Sequence, residues 1–141
     1  MKELQNIKHD FSLAAALTTS STHTVSIDTK GFAYAQVALM VGTSGATTIP
    51  GVCKIEEGDT TSSYAAITGL AIGQLFSATT KSTNAQVVFD AGICLEGRKR
   101  YLKVSYTPGT AEVAVVHALL GRAHQLPDTA AEKNVAHNVV V

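Results

Sequence analysis

Apolar and polar residues along this chain alternate in short runs with a period of two, and small or turn-forming residues interrupt the runs at close intervals. The clearest run is Arg100–Thr107, where Leu102, Val104 and Tyr106 fall on one face and Tyr101, Lys103, Ser105 and Thr107 on the other. A Pro108-Gly109 turn follows, and with the run after it the segment reads as a β-hairpin. That second run, Val113–Leu120, does not alternate. Val113, Val115 and Leu119 share one face, and Ala114, Val116, Ala118 and Leu120 share the other. A strand apolar on both faces needs a cover on both, so one face calls for a further layer or another subunit.

The same pattern predicts strands at Phe11–Thr18, His23–Asp28, Ala33–Val41, Val52–Glu57, Tyr64–Thr68, Leu70–Ala78, Ala85–Ala91, Arg100–Thr107 and Glu112–Gly121. Val25 and Ile27 alternate with polar neighbours, and Ala35, Val37, Leu39 and Val41 line one face of their strand. Turn signals stand at Thr29-Lys30-Gly31, at Gly42-Thr43-Ser44-Gly45, at Glu57-Gly58-Asp59 and from Thr79 to Asn84. About eight strands so spaced predict an all-β, antiparallel, jelly-roll-like sandwich over residues 11–123. An immunoglobulin-like sandwich is the alternative, but the Trp and paired cysteines of antibody-type domains are missing.

Both ends read as arms, over residues 1–10 and 124–141. Leu4, Ile7 and Phe11 recur at helical spacing, enough for about two turns with a narrow apolar stripe. The chain ends in Val139-Val140-Val141, an apolar β-branched tail that is an aggregation hazard unless a neighbour covers it.

A length of 141 residues fits one domain with a sizeable core. Formal net charge is zero and only 16% of residues are charged, which disfavours a basic nucleic-acid binder and an acidic disordered chain. Few charges also leave little to keep copies apart. No apolar run reaches the ~20 residues of a membrane-spanning helix, and the first ten residues carry no signal-peptide apolar segment. The expected location is therefore inside a cell until assembly or lysis, with two free thiols rather than a disulfide.

Chemistry-bearing patterns are sparse. Cys53 and Cys94 read as small core hydrophobes. The five histidines, His9, His23, His117, His124 and His137, show no metal-ligand or metalloprotease spacing. His117 interrupts an apolar strand, which suits an interior or interface histidine and could make an interface pH-sensitive. Glu56-Glu57-Gly58-Asp59 lacks the spacing of a calcium loop and reads as a solvated turn. Arg98-Lys99-Arg100 is a short basic corner that could pair with acidic groups on a partner. The expectation is a non-enzyme with no catalytic, cofactor-binding or metal-binding residues.

Three segments together carry a resemblance: Asp28-Thr29-Lys30-Gly31 ahead of an apolar strand, Lys54-Ile55-Glu56-Glu57-Gly58-Asp59, and Gly97 to Val104 with a close at Ala118-Leu119-Leu120-Gly121-Arg122. The pattern resembles the jelly-roll cement, or decoration, proteins that sit outside the icosahedral heads of tailed bacteriophages. It covers residues 11–123. The resemblance implies a structural virion protein on the capsid surface, assembled in the host cytoplasm. It also implies a homodimer or homotrimer bound to the major capsid protein, with no enzyme activity and no cofactor. Neither nucleic acid, membrane nor a small-molecule substrate is an expected partner. Candidate subunit or capsid contacts are Leu4, Ile7, Phe11, Arg98, Lys99, Arg100, His117, Val139, Val140 and Val141. The alternative is a jelly-roll module of a phage fibre or tail that binds a carbohydrate or receptor. With no Trp, four Tyr and four Phe, the chain has few aromatics left for a sugar platform.

Overall fold

The computed structural model describes residues 7–41, 51–71 and 87–123, and every element among them is a strand. In chain order these are β1 (Lys8–Leu17), β2 (His23–Asp28), β3 (Phe32–Val41), β4 (Val52–Thr60), β5 (Ser63–Ala71), β6 (Val87–Cys94), β7 (Tyr101–Thr107) and β8 (Glu112–Ala123). They form two four-stranded sheets, the first ordered β1-β8-β3-β6 and the second β2-β7-β4-β5. Each described pairing is antiparallel, and the pairings nest: β1 with β8, β2 with β7, β3 with β6, β4 with β5. This is the winding of a jelly roll, a long hairpin folded over into two packed sheets.

The nesting corrects one expectation. β7 and β8 are not a hairpin: β7 lies between β2 and β4 in the second sheet, and β8 lies between β1 and β3 in the first. The reason is the core. Leu102, Val104 and Tyr106 of β7 and Ala114, Val116, Ala118 and Leu120 of β8 are all buried. In one sheet both sets would line the same inner wall; with one strand in each sheet, both walls receive an apolar strand at their middle. On opposite sheets they meet across the sandwich, with Ile27, Val37, Leu39 and Ile55 completing the centre. Fully burying each valine, leucine or isoleucine among them contributes about 1.5–3 kcal/mol. The buried Pro108 marks the corner where the chain changes sheet.

The N-terminal boundary also shifts. Residues 8–10 are already strand, and Phe11 lies within β1 rather than on a helical stripe. A spacing of four is even, so Ile7 and Phe11 share a face in a strand as they would in a helix. Ile7 stands just before β1, and Leu4 lies outside the described residues. The break read between Tyr64–Thr68 and Leu70 is a register shift inside one strand, β5, with Gly69 at φ +89°. The remainder of Leu70–Ala78 lies outside the described residues, as does the arm at 124–141. The turn read at Thr29-Lys30-Gly31 is present: Phe32 N donates to the Thr29 carbonyl at 3.1 Å, and Gly31 takes φ +87°, where a side chain would be strained.

Candidate docking face

Strand alternation sets what each sheet shows on its outer side. In the first sheet, β8 turns Ala114, Val116, Ala118 and Leu120 inward, so Val113, Val115, His117 and Leu119 face out. Register places Leu13 opposite Val115, Phe11 opposite His117 and His9 opposite Leu119 on β1. On the other flank β3 contributes Met40, Ala38, Gln36 and Tyr34, each level with an outward residue of β8. Among the described residues, the large hydrophobic side chains left exposed are Phe11 (57%), Leu13 (64%), Tyr34 (44%) and Val113 (43%). All four belong to this one face. Apolar side chains gathered on one side of a small domain, rather than scattered singly, make this face the candidate for docking.

Its polar groups are few and bonded to one another. His9 Nδ1 and His117 Nε2 lie 3.2 Å apart, one donating and the other accepting. The two ring planes are within 4° of parallel, and Phe11 stacks on His117 with centroids 4.2 Å apart. Gln36 Nε2 donates to both carboxylate oxygens of Asp90 on β6, at 2.8 and 3.0 Å. Burial, and after it the neighbouring His9, hold the His117 imidazole below its ordinary pKa, against an opposing pull from Asp90.

The outer side of the second sheet is different in kind. Glu56 takes Lys54 Nζ on one oxygen and Lys103 Nζ on the other, both at 2.8 Å. Burial pushes the Glu56 carboxyl up, but the two lysines outweigh it and hold it below the usual range. Lys103 also lies 4.5 Å over the Tyr64 ring, whose hydroxyl bonds Ser26 at 2.7 Å. This face is ionic and suited to water.

The basic corner is occupied from within the chain. Arg100 grips Asp28 with two bonds, at 2.7 and 2.9 Å. Lys99 reaches Asp59 at 3.3 Å, and Arg98 reaches Glu57 at 3.6 Å. Exposed pairs of this kind contribute ~0–1 kcal/mol each, and each of the three cations faces a carboxylate of its own chain. Hydrogen bonding from Arg100 lowers the Asp28 carboxyl.

Of the sequence-derived contact candidates, the structure brings Phe11 and His117 together on the apolar face and sets Arg98, Lys99 and Arg100 on the ionic corner. Val139, Val140 and Val141 lie outside the described residues. Sequence reasoning missed His9, Leu13 and Tyr34. The signal was present as the alternation of His9, Phe11 and Leu13, which helical spacing had masked.

The thiols divide. Cys53 is buried, its thiol pushed up to about 12 by burial, which makes it a poor nucleophile. Cys94, expected in the core, is exposed: it closes β6 opposite the outward-facing Tyr34. Among the described residues no group of three or more His, Cys, Asp or Glu side chains is placed to hold a metal ion. No protein-family profile matches the chain, and neither a curated protein nor a solved structure matches it significantly.

Proposed function

We propose that the chain is a structural virion subunit that joins copies of itself through the outer face of the first sheet. So assembled, it sits on the outside of a tailed-phage head and cements contacts between capsomers of the major capsid protein. The observation that carries this reading is the segregation of the two outer surfaces. Every exposed large hydrophobic among the described residues lies on one sheet, and the ionic networks lie on the other. Docking the first face removes apolar area from water and breaks no ion pair. A second copy suits it as occupant because a two-fold contact sets each patch against its own image. A charged patch meeting its image would repel; a nearly uncharged one does not. The chain's zero formal net charge adds no long-range repulsion between copies. The ionic face is then left for solvent or for the shell. The phage setting rests on the sequence resemblance and on an eight-stranded jelly-roll winding that many virion proteins use, alongside lectins.

The test is in two steps. Light scattering of the purified chain at micromolar concentration should give a dimer mass, as a two-fold contact requires; a trimer would overturn the two-fold arrangement and leave self-association standing. Mixing with undecorated heads of the phage whose genome carries this chain should give saturable binding and heads more resistant to heating. A monomer that ignores the heads would overturn the proposal, and saturable binding to a glycan array instead would favour the fibre-module alternative.

A further inference from the structure

The polar centre of the docking face is built to respond to protons. We infer that the His9–His117 pair is a proton gate: acidification to pH 5–6 opens the contact between copies, which is closed at neutral pH. The inference rests on the reading that this face binds a second copy.

A hydrogen bond between two imidazoles needs one N–H and one lone pair. The neutral pair supplies both, and so does the pair carrying a single extra proton. With both rings protonated, only donors remain across the 3.2 Å gap, and two positive charges face each other. The surroundings offer little to compensate. On β1, Lys8 and Asp10 alternate to the opposite side, level with the inward Leu120 and Ala118. The neighbours on β8 are Val115 and Leu119, and β3 sets Gln36 and Ala38 alongside. Among the described residues, the charged group facing the pair is Asp90 on β6, whose carboxylate is already bonded to Gln36. Phe11 covers the His117 ring on the remaining side.

A second copy seated on the face removes water from the same rings. The docked state therefore binds the added protons less tightly than the separated subunits do. By linkage, stability of the contact is fully present above the ordinary imidazole pKa of about 6.5 and is lost as pH falls through that of the docked state. Burial already moves His117 in this direction before any partner is added. Each imidazole taking up a proton on release weakens the contact by up to about tenfold per pH unit below about 6.5. A two-fold contact holds two pairs, so one proton taken up per copy should raise the dissociation constant by up to about 100-fold between pH 7.5 and 5.5.

Sedimentation velocity of the full chain at these two pH values, with near-UV circular dichroism to verify that the sandwich stays folded, reads the gate directly. The wild type should be associated at pH 7.5 and dissociated but folded at pH 5.5. His117→Phe, which keeps a ring to stack on Phe11 and removes the titration, should stay associated at both. Because that variant could fold poorly, the wild-type imidazole resonance of His117 provides a second reading. It should titrate over the same interval in which the mass falls. An oligomer unchanged at pH 5.5 overturns the gate and leaves self-docking standing. Dissociation without titration of His117, or only through unfolding, also overturns it. A wild type that is monomeric at pH 7.5 refutes self-docking itself, and the gate with it.

Discussion

Leu13 offers the sharpest separation of folding from docking. It is 64% exposed on β1, outside the core and away from the histidine pair's hydrogen bond. Fully burying a leucine side chain contributes about 1.5–3 kcal/mol, so the exposed part holds back about 1–2 kcal/mol that only a partner can release. In a two-fold contact both copies release it, giving about 2–4 kcal/mol, or roughly 30- to 1,000-fold in the dissociation constant. Leu13→Asp forfeits that gain and adds the desolvation of a carboxylate, so self-association should weaken by at least about 100-fold. Folding of the single chain should hardly respond. The cost is the strand preference of Asp over Leu at a wet position, less than about 1 kcal/mol.

A buried leucine makes the control. Leu120→Ala, at a fully buried site, should lower unfolding free energy by about 2–5 kcal/mol. Urea denaturation run below the dissociation concentration isolates folding from mass action, and sedimentation equilibrium reads association. Two results would refute the reasoning. One is Leu13→Asp destabilising the chain as much as Leu120→Ala, which would put Leu13 in a core. The other is unchanged association, which would leave this face uninvolved.

Further outcomes follow from single contacts. Tyr106, fully buried, donates its hydroxyl to the buried carboxylate of Glu112, and burial together with that carboxylate pushes the phenol far above its usual range. Tyr106→Phe should cost about 1.5–3 kcal/mol by urea denaturation, and a change near zero would remove the bond from the energetics. Alkylation of the native chain followed by mass analysis should label Cys94 and spare Cys53, with Cys94 protected once copies assemble; equal labelling of both would contradict the burial of Cys53. Asp90→Asn removes the charge that favours protonated His117, so the midpoint of acid dissociation in sedimentation should move to lower pH.

The sequence carried the inward pattern well and the connectivity poorly. Leu102, Val104 and Tyr106, and equally Ala35, Val37, Leu39 and Val41, are buried as their alternation implies, because period two fixes the face whatever the neighbour. The path between β7 and β8 was not legible. A Pro-Gly corner serves a hairpin and a sheet crossing alike, and nothing local to it decides between them. The neutralisation of Arg98, Lys99 and Arg100 was equally hidden, since Glu57, Asp59 and Asp28 are remote in sequence and approach only through folding. For Cys94 the local string Gly92-Ile93-Cys94-Leu95 suggested burial. Yet β6 alternates, and Ile93 and Leu95 take the inward places.

The winding also determines when the proposed docking face exists. Its centre is the β1–β8 pair, whose bonded histidines stand 108 positions apart. That is the widest nesting in the jelly roll, since β1 closes on the last described strand after every inner pair lies between them. Loop-closure entropy rises with separation, so this pairing depends most on the inner strands being in place. Before it forms, Phe11 and Leu13 stand on an unpaired segment, while Val113 and Val115 lie on β8, whose other edge is held by β3, so the patch has one flank only. The same step that completes the sandwich completes the apolar patch, which on the proposed reading ties competence to dock to completion of the fold. A strand sequence apolar on both faces would otherwise be a hazard during folding. Here its outward side is flanked by β3 on one edge and gains its histidine, phenylalanine and leucine on the other only when β1 has taken its place beside it.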